Sequence, residues 1–215
     1  MSASPCFDID CVRCPRLARH LQAVRRDYPA YHGRPVAPFG ARKPALLIVG
    51  LAPGLHGANA TGRPFTGDYA GILLYKTLYR YGFSNLDKVL DAGDGLKLRN
   101  CRITNAVKCL PPENKPNGAE IRNCNAYLQQ EISRLGRQAV ILALGGIAHR
   151  AVLKALGMPQ TGYKFAHGAL HQIEGHKCLL DSYHCSRYNT QTRRLTESMF
   201  FEIFDKIHEI IDITN

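Results

Sequence analysis

The chain has 215 residues, 45% hydrophobic and 21% charged, a globular composition long enough for one domain with a sizeable core. Lys and Arg number 28 against 17 Asp and Glu, a formal charge of +11, and a field of that sign favours polyanion partners, nucleic acid first. No apolar stretch approaches the roughly 20 residues of a membrane span, and the opening residues lack the basic start and apolar run of a signal peptide, so the eight cysteines are expected as cytosolic thiols and not as a disulfide framework.

Taken in chain order, Cys11-Val12-Arg13-Cys14 presents two thiols from one tight turn, as zinc and iron–sulfur sites both accept. The stretch from Tyr28 to Pro44 is rich in Pro, Gly and Arg and reads as a surface loop. Ala45 to Val49 is a short apolar run, expected to be a buried strand, and a glycine-rich segment from Gly50 to Gly71 follows it directly. That segment lacks the Gly-Lys-Ser/Thr ending of a P-loop, and its glycines miss the offsets of a dinucleotide fingerprint. At the carboxyl end of a parallel strand it would border a ligand crevice, with small residues allowing close approach to the backbone. Phe65 offers a face on which a base could stack. Asp68 precedes a helix patterned on Ile72, Leu73, Leu74 and Leu78 and stopped at Gly82, whose amide dipoles are expected to keep the carboxylate ionised. A plain helix cap is the competing reading of Asp68, and the sequence leaves both open.

Asp87 to Leu98 holds a turn around Gly93, and Cys101 to Thr104 reads as the second strand. Cys109 lies where the chain leaves that strand, just before Pro111 and Pro112. Asn117 with Glu120 resembles a capping box, and the helix it starts carries Ile121, Cys124, Leu128, Ile132 and Leu135 on one face. Cys124 therefore faces the body and can meet Cys109. Structural zinc usually takes two close knuckles, and no His neighbours this pair, so the all-thiol set of Cys11, Cys14, Cys109 and Cys124 leans toward a four-iron cluster; zinc and ordinary buried cysteines stay open. Cys101 and Cys178 read as core. Ala139 to Leu144 and Cys178 to Leu180 are the third and fourth strands, with helices from about Ile147 to Leu156 and, at the end, over Phe200, Ile203, Phe204, Ile207, Ile210 and Ile211. Strands alternating with helices predict a parallel sheet covered on both faces. After the last strand, His184 could donate a hydrogen bond to a developing anion. Ser186, Arg187, Tyr188, Arg193 and Arg194 beyond it mix groups that grip phosphates and stack bases, although a polar loop with an incidental His has the same composition.

The Gly50–Gly71 loop, the four cysteines, Thr104-Asn105-Ala106-Val107-Lys108-Cys109 and the His184 loop, together and in this order, resemble the iron–sulfur uracil-DNA glycosylases, more narrowly their type B group, often called family 5. The similar type A group has Gly-Glu-Ala-Pro-Gly at the first motif, and Leu51 stands here in place of that Glu. The resemblance runs from Cys11 to about Leu195. It implies an α/β fold, a three-layer α/β/α sandwich around a four-stranded parallel sheet, as a single domain over residues 1–215. It implies a structural 4Fe–4S cluster on Cys11, Cys14, Cys109 and Cys124, and a monofunctional glycosylase that hydrolyses the N-glycosidic bond of uracil in DNA, and of other deaminated bases such as hypoxanthine, leaving an abasic site. By the same matching Asp68, His184 and Asn105 are catalytic, Phe65, Ala52 and Gly54 join Asn105 around the extruded base, and Ser186, Arg187, Tyr188 and Arg193 meet DNA. A monomer in a prokaryotic cytosol, with damaged DNA as partner and no membrane, completes the expectation. The chain departs from the family's common pattern at Cys185, often Pro, and at Ala60, often Arg.

Overall fold

A computed structural model describes residues 7–173 and 177–213. Helix α1 (Pro15–Asp27) starts on a proline, whose missing N–H is no loss in a first turn, and buries Leu17, Leu21 and Val24 along one side. There follow β1 (Phe39–Gly40), β2 (Leu46–Gly50), the short α2 (Ala58–Thr61), α3 (Tyr69–Arg80), β3 (Cys101–Asn105), a 3-10 turn (Pro112–Asn114) and α4 (Gly118–Ser133). The remaining elements are β4 (Val140–Leu144), α5 (Gly146–Ala155), β5 (Leu170–Ile173), β6 (Lys177–Ser182), α6 (Arg187–Gln191) and α7 (Glu197–Ile213).

The strands form one sheet in the order β1-β3-β2-β4-β6-β5. β2 pairs in parallel with β3 and with β4, and β4 with β6, while β1 and β5 pair antiparallel at the two edges. The expected four-stranded parallel sheet is thus corrected to a six-stranded mixed one. Neither edge strand carries the apolar run that marks a buried strand. β1 is two residues inside the Pro-, Gly- and Arg-rich stretch, and β5 reads Leu170-His171-Gln172-Ile173 with Leu170 and Gln172 facing solvent. Short, polar edge strands are common because they discourage further pairing.

Alternation along the central strands divides the core between two faces. Leu46, Ile48 and Leu142 pack with Leu74, Leu78, Phe200 and Phe204 of α3 and α7. Leu47, Val49 and Ile141 pack with Leu128, Ile132, Ala151 and Val152 of α4 and α5. A third cluster joins Leu17, Leu21 and Val24 of α1 to Val107, Leu110 and Tyr127. The parallel register sets Gly50 opposite Asn105, so the glycine-rich loop and the Asn105 segment leave the sheet side by side, at the end where β6 runs on to His184. Among the described residues no helix is long and apolar enough to cross a membrane.

Candidate active site

Asp68, Asn105, His184 and Phe65 line one cavity of about 360 Å³, together with Ala52, Gly54, Ser186 and Arg187. Glycines set its shape. A β-carbon on Gly50 would stand 2.5 Å from the Asn105 Oδ1, and one on Gly54 would stand 2.6 Å from the Asp68 Oδ1. A β-carbon on Gly57 would overlap the Asp68 carboxyl group outright, and one on Gly71 would overlap the Phe65 carbonyl. The small residues expected to admit a ligand therefore first admit the protein's own functional side chains.

Asp68 occupies the N-cap position of α3, yet its side chain makes no cap hydrogen bond. Its Oδ2 instead accepts the Ala58 N–H at 3.1 Å. Burial raises its pKa above the ordinary carboxylate value, and the Ala58 N–H opposes that shift. Desolvation, and not the α3 dipole, is the larger influence on this group, because the carboxylate turns away from α3 into the glycine loop.

Phe65 is buried with φ +57°, a conformation rare for a bulky residue. Its neighbours hold it there. The Tyr75 hydroxyl donates to the Pro64 carbonyl at 2.7 Å, and Arg63 grips both Asp94 oxygens at 2.9 and 2.7 Å and donates to Thr66 Oγ1 at 2.8 Å. The Phe65 ring stacks on His184 at 5.8 Å between centroids. Burial lowers the His184 pKa to about 4, so its imidazole is neutral near pH 7, and among the described residues its ring nitrogens have no hydrogen-bond partner. Asn105 is buried, and its Oδ1 likewise lacks one. The cavity thus holds a partly desolvated acid, a neutral imidazole and an unpaired amide oxygen around an aromatic face.

The DNA-facing candidates divide. Ser186 and Arg187 line the cavity, whereas Tyr188 and Arg193 lie outside its wall, with Tyr188 69% exposed. The segment read as a loop contains α6. Ser186 caps it by accepting the Asn189 N–H, and the Asn189 side chain donates to the His184 carbonyl at 2.8 Å, fixing the His184 turn. Arg187 stacks over Tyr69 at 4.9 Å. Cys185 is fully buried, and burial pushes its thiol pKa up to about 12. The sequence reading missed Leu51, Tyr69 and Asn114 as cavity walls. For Asn114 the available signal was the double proline before it; Glu113 and Asn114 both take positive φ there.

The second constellation lies beside the first. Cys11, Cys14, Cys109 and Cys124 line a separate pocket with Leu17, Val107 and Tyr127. Arg16, two residues past Cys14, grips both Glu120 oxygens at 2.8 Å, and Glu120 completes the capping box with Asn117, so α1 is bolted to the helix that carries Cys124. N–H donors point at the sulfurs: the Lys108 backbone N–H at Cys124 Sγ (3.3 Å) and the Asn123 amide at Cys14 Sγ (3.7 Å). Burial raises the Cys109 pKa to about 12, with the neighbouring thiols adding to the shift, so the set needs a cation to hold thiolates. Four soft thiol donors around one pocket are the donor set that zinc or an iron–sulfur cluster takes. Among the described residues the ligand atoms of His149, His171 and Asp181 also lie within 4.8 Å of one another. The histidine trio is closed on itself, both Asp181 oxygens being held, at 2.8 Å from His149 Nδ1 and 3.0 Å from His171 Nε2.

Comparison with known proteins places this arrangement. The family model described as the uracil DNA glycosylase superfamily matches residues 37–208. A type-5 uracil-DNA glycosylase of Thermus thermophilus is 43% identical over 90% of this chain and 90% of its own length. Proteins of the same name from Pyrobaculum aerophilum (41% identity, 91% of this chain, 86% of theirs) and Mycobacterium leprae (43%, 90% and 88%) match similarly.

Proposed function

The chain belongs to the uracil DNA glycosylase superfamily, in its type-5 group, and from that premise we propose that it excises uracil from DNA by hydrolysing the N-glycosidic bond. The observation that carries this reading is the meeting of Asp68, Asn105, Phe65 and His184 around one cavity of about 360 Å³, room for a single extruded base. The base leaves the duplex at a cost of a few kcal/mol, and the basic surface with Arg187 and Arg193 holds the backbone. Tyr188, exposed on α6, fills the gap left in the stack. Phe65 stacks on the base, and Asn105 reads its polar edge, with Ala52 and Gly54 letting it approach the loop backbone. The bond between C1′ and the base nitrogen breaks with its electron pair leaving on the base. The neutral His184 donates an N–H to the base oxygen where that charge gathers. Asp68, ionised and poorly solvated, stabilises the cationic sugar and orients the water whose oxygen bonds to C1′, and the proton that water gives up passes to Asp68 and then to the departed base anion. Among the described residues no lysine lines the cavity, which supports a monofunctional enzyme that leaves an abasic site.

The thiol pocket is read as the seat of a structural 4Fe–4S cluster on Cys11, Cys14, Cys109 and Cys124. When bound, the cluster supplies iron–thiolate bonds that cross-link α1, the segment after β3 and α4. The donor set supports this, being all thiol and aimed at by N–H groups. We further read the enzyme as one domain acting as a monomer in the cytosol, with a substrate range that includes hypoxanthine, because Leu51 leaves an apolar wall where a base-selective carboxylate could stand. The test is base release from duplexes carrying uracil, hypoxanthine or xanthine, with iron and zinc content measured on the same preparation. Uracil release by an iron-containing protein is expected. No release from any duplex would refute the activity, and a fully active zinc protein would refute the cluster.

A further inference from the structure

Lys108 is a fully buried cation that the scheme above does not use. Its ammonium group has three N–H donors, and three oxygens accept them. It meets Thr104 Oγ1, the Asn105 main-chain carbonyl at 2.9 Å and Glu131 Oε1 at 2.6 Å. Glu131, on α4, is as deeply buried; its Oε1 also accepts the Thr104 hydroxyl at 3.1 Å, and its Oε2 has no hydrogen-bond partner, with Arg102 Nε 3.8 Å away. An ion pair taken wholly out of water contributes little net stability compared with apolar residues of the same volume. What it does fix is geometry. Asn105 is the last residue of β3, and its own side-chain oxygen is unpaired. The two ends of Asn105 are thus held differently: its side-chain oxygen lies against Gly50, where a β-carbon would stand 2.5 Å from it, and its main-chain carbonyl accepts the Lys108 ammonium.

We propose that Lys108, with Glu131 as its counterion, is a positioning residue for base recognition: it holds the Asn105 carbonyl and through it the amide presented to the extruded base. The inference rests on the reading of Asn105 as the base-contacting residue. The same residue reaches the other constellation, since its backbone N–H is the donor to Cys124 Sγ and its chain neighbour is Cys109. Lys108 thus lines the thiol pocket while its ammonium holds the carbonyl of a residue that lines the cavity.

The test separates position from stability. Lys108→Met alone strands the Glu131 charge in the core and is expected to lower the melting temperature. Lys108→Met with Glu131→Leu removes both charges and is expected to restore melting and keep the native iron content. Single-turnover uracil excision by this double variant should nevertheless stay 10- to 100-fold below wild type with unchanged affinity for undamaged duplex. Adding Asn105→Ala to the double variant should cause little further loss. Recovery of excision together with stability, or a full additional loss from Asn105→Ala, would reduce Lys108 to a structural role and overturn the proposal. Wild-type excision by Asn105→Ala alone would instead overturn the reading of Asn105 on which it stands.

Discussion

The cavity and the thiol pocket are neighbours built on opposite rules. Beside the pocket the charged groups are paired, Glu120 accepting Arg16 in two places and the Asn117 N–H, and the Cys124 and Cys14 sulfurs receive N–H donors, leaving the Tyr127 hydroxyl as the pocket's buried group without a hydrogen-bond partner among the described residues. In the cavity, Asp68 has one backbone donor, and neither the His184 ring nor the Asn105 Oδ1 has a partner among the described residues. A satisfied polar group is stable and inert, whereas an unsatisfied one is costly and available to a substrate. The protein spends order on holding one region still so that the other can stay incomplete.

The largest effect that would sharpen this contrast comes from Asp68. Asp68→Asn is expected to lower single-turnover uracil excision by roughly 100- to 1000-fold or more while duplex binding persists. The same change should raise the melting temperature at neutral pH. A raised carboxylate pKa means the folded state penalises ionisation, so wild-type stability falls as pH rises from the ordinary Asp range through the raised value. The variant's advantage should therefore vanish in acid, where Asp68 is protonated folded and unfolded alike. Melting curves across pH check this, and an Asp68→Asn protein less stable than wild type at neutral pH would break the comparison.

Next in size is the pocket. Cys109→Ala is expected to remove iron and cost on the order of 4 kcal/mol, a melting shift of about 10 °C, by analogy with opening a cross-link across a long loop. Excision measured well below the new transition should fall far less than with Asp68→Asn. Equal losses would mean the two regions do not divide labour as described. The smallest effect belongs to His184. With a folded pKa of about 4 against an ordinary 6.5, its neutral burial stabilises the fold above pH 6.5, and that contribution is lost as pH falls toward 4. His184→Asn should flatten that part of the acid unfolding profile, seen by titrating tryptophan-free near-ultraviolet dichroism.

Much of this was readable in the sequence because the central strands are continuous apolar runs and the α4 capping box is a local code. The edge strands were not, since β1 and β5 are defined by their neighbours and not by their own residues. Helix α1 hid behind its arginines, although Leu17, Leu21 and Val24 keep helical spacing. The functional residues were visible as types in order, but not their electrostatics. Asp68 reads as a cap from its position alone, and only the folded loop reveals that Gly54 and Gly57 clear a seat for its carboxylate on the far side. Nothing in the sequence marks Lys108 for burial, because its partner Glu131 lies 23 residues away and only the fold brings the two together.

The clamp between the two ends of the thiol set also imposes an order in time. Cys11 and Cys14 leave the ribosome first, yet their partners lie about 95 residues and more downstream, beyond β2, α3 and β3. Helix α1 can meet Val107 and Leu110 once β3 has been made, but Arg16 cannot close on Glu120 until α4 has been synthesised. A chain whose N-terminal helix is locked in place is therefore one in which the walls of the cavity contributed by β2 and β3 have already been translated, so the clamp serves as a receipt for the half of the catalytic site that precedes it.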